Sequence, residues 1–196
     1  WDNRLVQEMS GKQMPQIGKV EVSIIEEEQS RWLAFKTGQL DFDKLTANAV
    51  PQALDGQKLK PELVKQGIQH YPNKDPEITY TMFNMKDPTV GGFGLDKIAL
   101  RRAITLSFNQ DEAIKQLYKG QAVRSEMLVP DGVQGFNPNY RSSLAYNPIL
   151  ANKLLDRFGY KKGADGYRTL PNGKALTLKF MTENSSSSVV QSELWK

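Results

Sequence analysis

The 196 residues contain no cysteine, which excludes disulfides and thiolate chemistry. Histidine occurs once, at His70, and nothing near it completes a catalytic pair or a metal set. It reads as an ordinary surface or edge residue. No glycine-rich phosphate loop and no spaced metal ligands are present. The serine run Ser185 to Ser188 lacks the Gly-x-Ser-x-Gly surroundings of a nucleophile. Asp165-Gly166 lacks the alternating oxygen ligands of a calcium loop and reads as a turn. No apolar run approaches the ~18 residues of a membrane span. A basic stripe is also missing. Net charge is +4 with the signs mixed, and the longest like-charge run, Glu26 to Glu28, is acidic. That is the pattern of a solvated surface rather than a nucleic-acid footprint. The chain begins at Trp1 without a signal-peptide pattern and reads as a piece of something longer.

What is present is ordinary globular material. Hydrophobic residues make up 39% and charged residues 24%, enough to bury a core. Residues 1–18 form an irregular lead-in. Val20, Val22 and Ile24 alternate with polar neighbours, which predicts a half-buried strand. A helix follows from about Glu28 to Thr37, burying Trp32, Leu33 and Phe35 and stopping at Gly38. The acidic triplet at its start suits the positive end of the helix dipole. A second strand is expected over 41–46, completing a βαβ unit. Asn48 leaves that strand at its carboxyl end, where open α/β sheets bind ligands. It is a candidate ligand contact, with a turn or cap role as the plain alternative.

Residues 52–67 are polar and punctuated by Gly56, Pro61 and Gly67, so short helices with loops are expected. The stretch from Glu77 to Gly120 organises the rest. Ile78 to Met85 is rich in Thr, Tyr and Phe and predicts a central strand. Two helical patterns then follow around Ser107 to Gln110. Leu100, Ala103, Ile104 and Phe108 mark the first; Ala113, Ile114, Leu117 and Tyr118 mark the second. Asn109 is the expected cap and Gly120 the expected C′ residue. Pro130, Gly132, Gly135 and Pro138 keep residues 121–146 irregular. Asn147 should cap a helix with Pro148 at N1 and Leu150, Ala151, Leu154, Leu155 and Phe158 on its apolar face. A turn-rich ribbon follows, then a strand near 175–181, then a helix running to Lys196.

These pieces resemble, in order, the family 5 extracellular solute-binding proteins of ABC importers, the dipeptide, oligopeptide and nickel class. The resemblance rests on Phe83-Asn84, the Asp87-Pro88 loop, Leu100-Arg101-Arg102-Ala103-Ile104, Phe108 to Ile114, Pro130, and Asn147-Pro148 through Gly159-Tyr160. It implies an α/β fold with a mixed β-sheet flanked by helices. That fold would be one lobe of a two-lobed, type II periplasmic-binding-protein-like architecture. Residues 1–196 would then be a single, C-terminally incomplete lobe. It further implies a monomeric binding protein, not an enzyme, with no cofactor. A peptide or other small solute and a membrane permease would be its partners, in a periplasmic or extracellular setting. Absence of cysteine is compatible with that address. In the family the side chain two positions before the Phe-Asn asparagine faces the cleft. Met82 stands there, and with Tyr80 it is a candidate ligand contact; core packing is the alternative for both. Met cannot hold a charged group, which points to an apolar ligand part. Trp1 resembles the second half of a Tyr-Trp pair of the family.

A second expectation comes from residues 97–119, which imitate a helix-turn-helix nucleic-acid binder. The would-be recognition helix opens with Asp111-Glu112, where carboxylates would repel phosphate.

Overall fold

A computed structural model describes residues 10–13, 15–182 and 186–195. Trp1 and Ser185 lie outside the described residues. The chain is a mixed α/β structure with a small antiparallel sheet and several helices. It divides into two compact units, residues 1–49 and 50–196.

In the first unit, α1 spans Glu28–Lys36. The Glu27 carboxylate accepts a hydrogen bond from the Ser30 backbone N–H at 2.8 Å, so the acidic run caps the helix. Trp32 and Ala34 are buried, and Trp32 stacks on Phe35 at 5.8 Å between ring centroids. Leu33 is exposed rather than buried. Arg31 Nε lies 2.9 Å from Asp43 Oδ1, and the Asp43 side chain is largely buried. That ion pair ties α1 to the segment after Gly38.

The second unit opens with α2 (Val50–Ala53). A hairpin pairs β1 (Leu54–Asp55) with β2 (Lys58–Leu59), in register Leu54 with Leu59 and Asp55 with Lys58. This hairpin is absent from the sequence reading, although Asp55-Gly56 is a strong turn pair. Then come α3 (Pro61–Lys65), α4 (Leu95–Ser107), α5 (Gln110–Leu117), α6 (Pro148–Arg157) and α7 (Ser186–Glu193). The Asn109 and Asn147 side chains cap α5 and α6, accepting from Glu112 N at 3.1 Å and Leu150 N at 2.9 Å. Helix α5 ends one residue earlier than expected, because Lys119 already takes the left-handed conformation at φ 50° ahead of Gly120.

A hydrophobic core cluster lies between α4 and α6. Ala103, Leu106 and Ala151 are fully buried, with Leu144, Leu154 and Leu155 packed around them. Asn147 N donates to Leu106 O at 2.8 Å, joining the end of α4 to the cap of α6. Tyr160 is wholly buried, and its hydroxyl donates to Asp96 O at 3.1 Å. Burial, with the Asp96 carboxylate adding to it, pushes the phenol above its ordinary pKa. Arg168 bonds Asp156, Asn152 and the Tyr160 carbonyl, pinning the ribbon after α6.

Among the described residues the small antiparallel sheet stands where the larger mixed sheet is expected. Among the described residues none of the segments 20–25, 41–46, 77–85 and 175–181 carries a ladder; only an isolated bridge, Thr169 to Ala175, touches the last. Val20, Val22 and Ile24 are all exposed, so their alternation has no partner face. Period-two patterning states which side chains share a face, but a ladder needs a neighbouring strand that the pattern does not name.

Candidate functional site

The segment Ile78 to Met85 leads into a hydrogen-bonded loop over residues 84–92. Asn84 Oδ1 accepts from Lys86 N at 3.0 Å. Asp87 Oδ1 accepts from Thr89 N at 2.7 Å and Val90 N at 3.0 Å. These backbone donors, Val90 first and Thr89 second, hold the Asp87 carboxyl below its ordinary pKa. The loop closes back on itself through Gly91 N to Asp87 O at 2.8 Å and Gly92 N to Met85 O at 3.0 Å.

Helix α4 then clamps this loop with two cations. Lys97 Nζ donates to Pro88 O and Thr89 O at 2.7 and 2.8 Å. Arg101 Nη1 donates to Val90 O and Gly92 O at 2.6 and 2.9 Å. Four carbonyls without ladder partners are thereby satisfied by side chains one helical turn apart. Arg101 is the first arginine of the Leu-Arg-Arg-Ala-Ile sequence, so that motif has a local structural task. It fixes the chain where Ile78 to Met85 ends.

Tyr80 and Met82 are 58% and 77% exposed, so neither is a core residue here. Both line a shallow concavity of about 380 Å³ together with Ile78, Thr81 and Leu128. Its wall carries no charged side chain; its polar side-chain groups are the Tyr80 and Thr81 hydroxyls. Leu128 arrives from the irregular segment 121–146 and was not singled out from sequence. The signal available was a leucine beside Val129-Pro130 in a segment otherwise rich in polar residues. A second concavity, of about 360 Å³, lies between Pro88, Thr89, Lys97, Asn172 and Lys174 and is more polar, but Lys97 is already engaged by loop carbonyls.

Asn48 belongs to the other unit. It sits in a turn before α2, exposed, and its side-chain amide donates to Glu28 Oε2 at 2.8 Å. The structure thus brings Tyr80 and Met82 together and describes Asn48 separately. Among the described residues no group of three or more His, Cys, Asp or Glu is placed to hold a metal.

The profile of the bacterial extracellular solute-binding proteins, family 5 middle, matches residues 1–194. The chain belongs to this family. Its relatives include a probable ABC transporter-binding protein of Deinococcus radiodurans, 27% identical over 95% of this chain and 33% of that protein. The oligopeptide-binding protein OppA of Bacillus subtilis is 22% identical over 94% of this chain and 32% of its own length. The dipeptide-binding protein of Escherichia coli is 35% identical over a shorter stretch, 35% of this chain and 13% of that protein. The chain therefore spans about a third of the length of the first and second of these relatives. No solved structure matches it.

Proposed function

We propose that this family 5 chain is a ligand-facing part of the substrate-binding component of an ABC import system. It would contribute one lobe of a type II periplasmic-binding-protein-like fold, working as a monomer outside the cytoplasmic membrane. A peptide or other small solute would be held in the cleft between lobes and delivered to a membrane permease. The observation carrying this reading is the exposed, uncharged Ile78–Met82 wall in a chain matched by the family along its length. Names of the relatives, which include a dipeptide-binding and an oligopeptide-binding protein, support a peptide ligand. In this reading Tyr80 and Met82 touch the ligand's apolar part, and Asn48, in the first unit, is kept as a separate candidate contact. The role is capture, not catalysis, and needs no cofactor.

The helix-turn-helix reading of α4 and α5 is not favoured. The first turn of α5 presents Asp111 and Glu112, the wrong sign for phosphate.

The test is calorimetric titration of a peptide panel into the complete protein carrying Tyr80→Ala or Met82→Ala, with the parent alongside. Each variant should weaken binding about tenfold, the loss expected for ~1.4 kcal/mol of apolar contact. Unchanged affinity in both would remove these residues from the site.

A further inference from the structure

We propose that Leu128 is a specificity-determining residue, setting the size of apolar group that the Ile78–Met82 wall accepts. This rests on the binding reading given above. Leu128 is 72% exposed, although its neighbours Val129 and Pro130 are half-buried. Leu128 is thus held at the surface while the two residues after it are half-buried. It faces the same concavity as Tyr80 and Met82 across 46 residues of sequence.

The backbone around it is tied down on both sides. The Met127 carbonyl accepts from Ser125 Oγ at 2.6 Å, and its sulfur accepts from Asn137 N at 3.4 Å. The Glu126 carboxylate accepts from Ser142 N at 2.9 Å and pairs with Arg124 at 3.4 Å. On the other side, Asp131 Oδ2 pairs with Lys74 Nζ at 3.0 Å. Lys74 stands four residues before Ile78, and Asp131 three residues after Leu128. That exposed ion pair links the segment before Ile78 to the segment after Leu128. A side chain placed by a fixed loop against an apolar wall acts as a gauge: its volume sets what fits beside Tyr80 and Met82. With no charge on the wall, the seated group is an uncharged aliphatic or aromatic one.

The test uses the complete protein encoded by the reading frame containing this chain. Four tripeptides, Ala-Leu-Ala, Ala-Phe-Ala, Ala-Trp-Ala and Ala-Asp-Ala, are titrated calorimetrically into the parent, Leu128→Ala and Leu128→Phe. Ile149→Ala, an exposed position on α6, serves as the control, and thermal melts check folding. The parent should bind Ala-Asp-Ala at least about tenfold more weakly than Ala-Leu-Ala. Leu128→Ala should shift the ranking about tenfold toward Ala-Trp-Ala, and Leu128→Phe should shift it the other way. Equal losses for all four peptides, or no change, would overturn the gauge while leaving the receptor reading intact. Tight binding of Ala-Asp-Ala would overturn the apolar preference. A parent that binds none of the four would overturn the role of Leu128 and the peptide form of the receptor reading.

Discussion

At the scale of single residues, Gly91, Arg101 and Asp87 carry the organisation of the 84–92 loop. Gly91 is buried, and a Cβ there would meet the Met85 carbonyl oxygen and sit 2.5 Å from the Asp87 oxygen. Both obstacles are backbone, so neither can swing aside. Gly91→Ala should cost about 2 kcal/mol or more in urea unfolding, the range for strain and overpacking. Arg101→Ala removes the donor from two carbonyls and should cost about 2 kcal/mol. Arg102→Ala, exposed beside it, should stay within about 0.5 kcal/mol. Asp87 gives a pH signature. Its folded pKa lies below the ordinary value of 3.8, so its stabilising effect is complete above that value. It is lost as the pH falls through the lower folded pKa. Thermal melts of the parent and Asp87→Asn from pH 7 to pH 2 should therefore differ by a constant amount at neutral pH and converge only in acid. Convergence already at pH 6 would show that the carboxylate is not the cause.

At the scale of elements, helices were far more legible than strands. Asn109 and Asn147 announce their helices because a cap is a contact over three residues. The α4 and α6 faces follow from spacing because a helix satisfies its own backbone. Replacing Leu106, fully buried between those helices, with Ala should cost about 3 kcal/mol in urea unfolding. Asn147→Ala should cost about 1 kcal/mol, and more if the Asn147 N to Leu106 O bond is also disturbed. The strands expected at 20–25, 41–46, 77–85 and 175–181 illustrate the opposite case. Their patterns are clear, yet their hydrogen bonds depend on segments distant in sequence. The one ladder among the described residues, β1 with β2, is closed by a local turn at Asp55-Gly56.

At the scale of the whole molecule, a binding site needs walls on most sides, burying about 70–90% of its ligand. The Ile78–Met82 concavity is open and supplies one wall. Residues 1–196 alone should bind a cognate peptide more weakly than the complete protein by several kcal/mol, each ~1.4 kcal/mol being tenfold. Parallel calorimetric titrations would measure this, and equal affinities would place the entire site within these residues. Sequence alone determined the family, through separated motifs in a fixed order, and it determined the helices, their caps and the absence of cysteine chemistry. All of these are local or composition-level facts. Only the tertiary structure decided that Tyr80 and Met82 are exposed on one concavity, that Leu128 joins them, and that Arg101 and Lys97 hold the adjoining loop. The reason is physical: a side chain's spacing tells which neighbours share its face, whereas what lies opposite that face is chosen by chain segments 8 to 57 residues away.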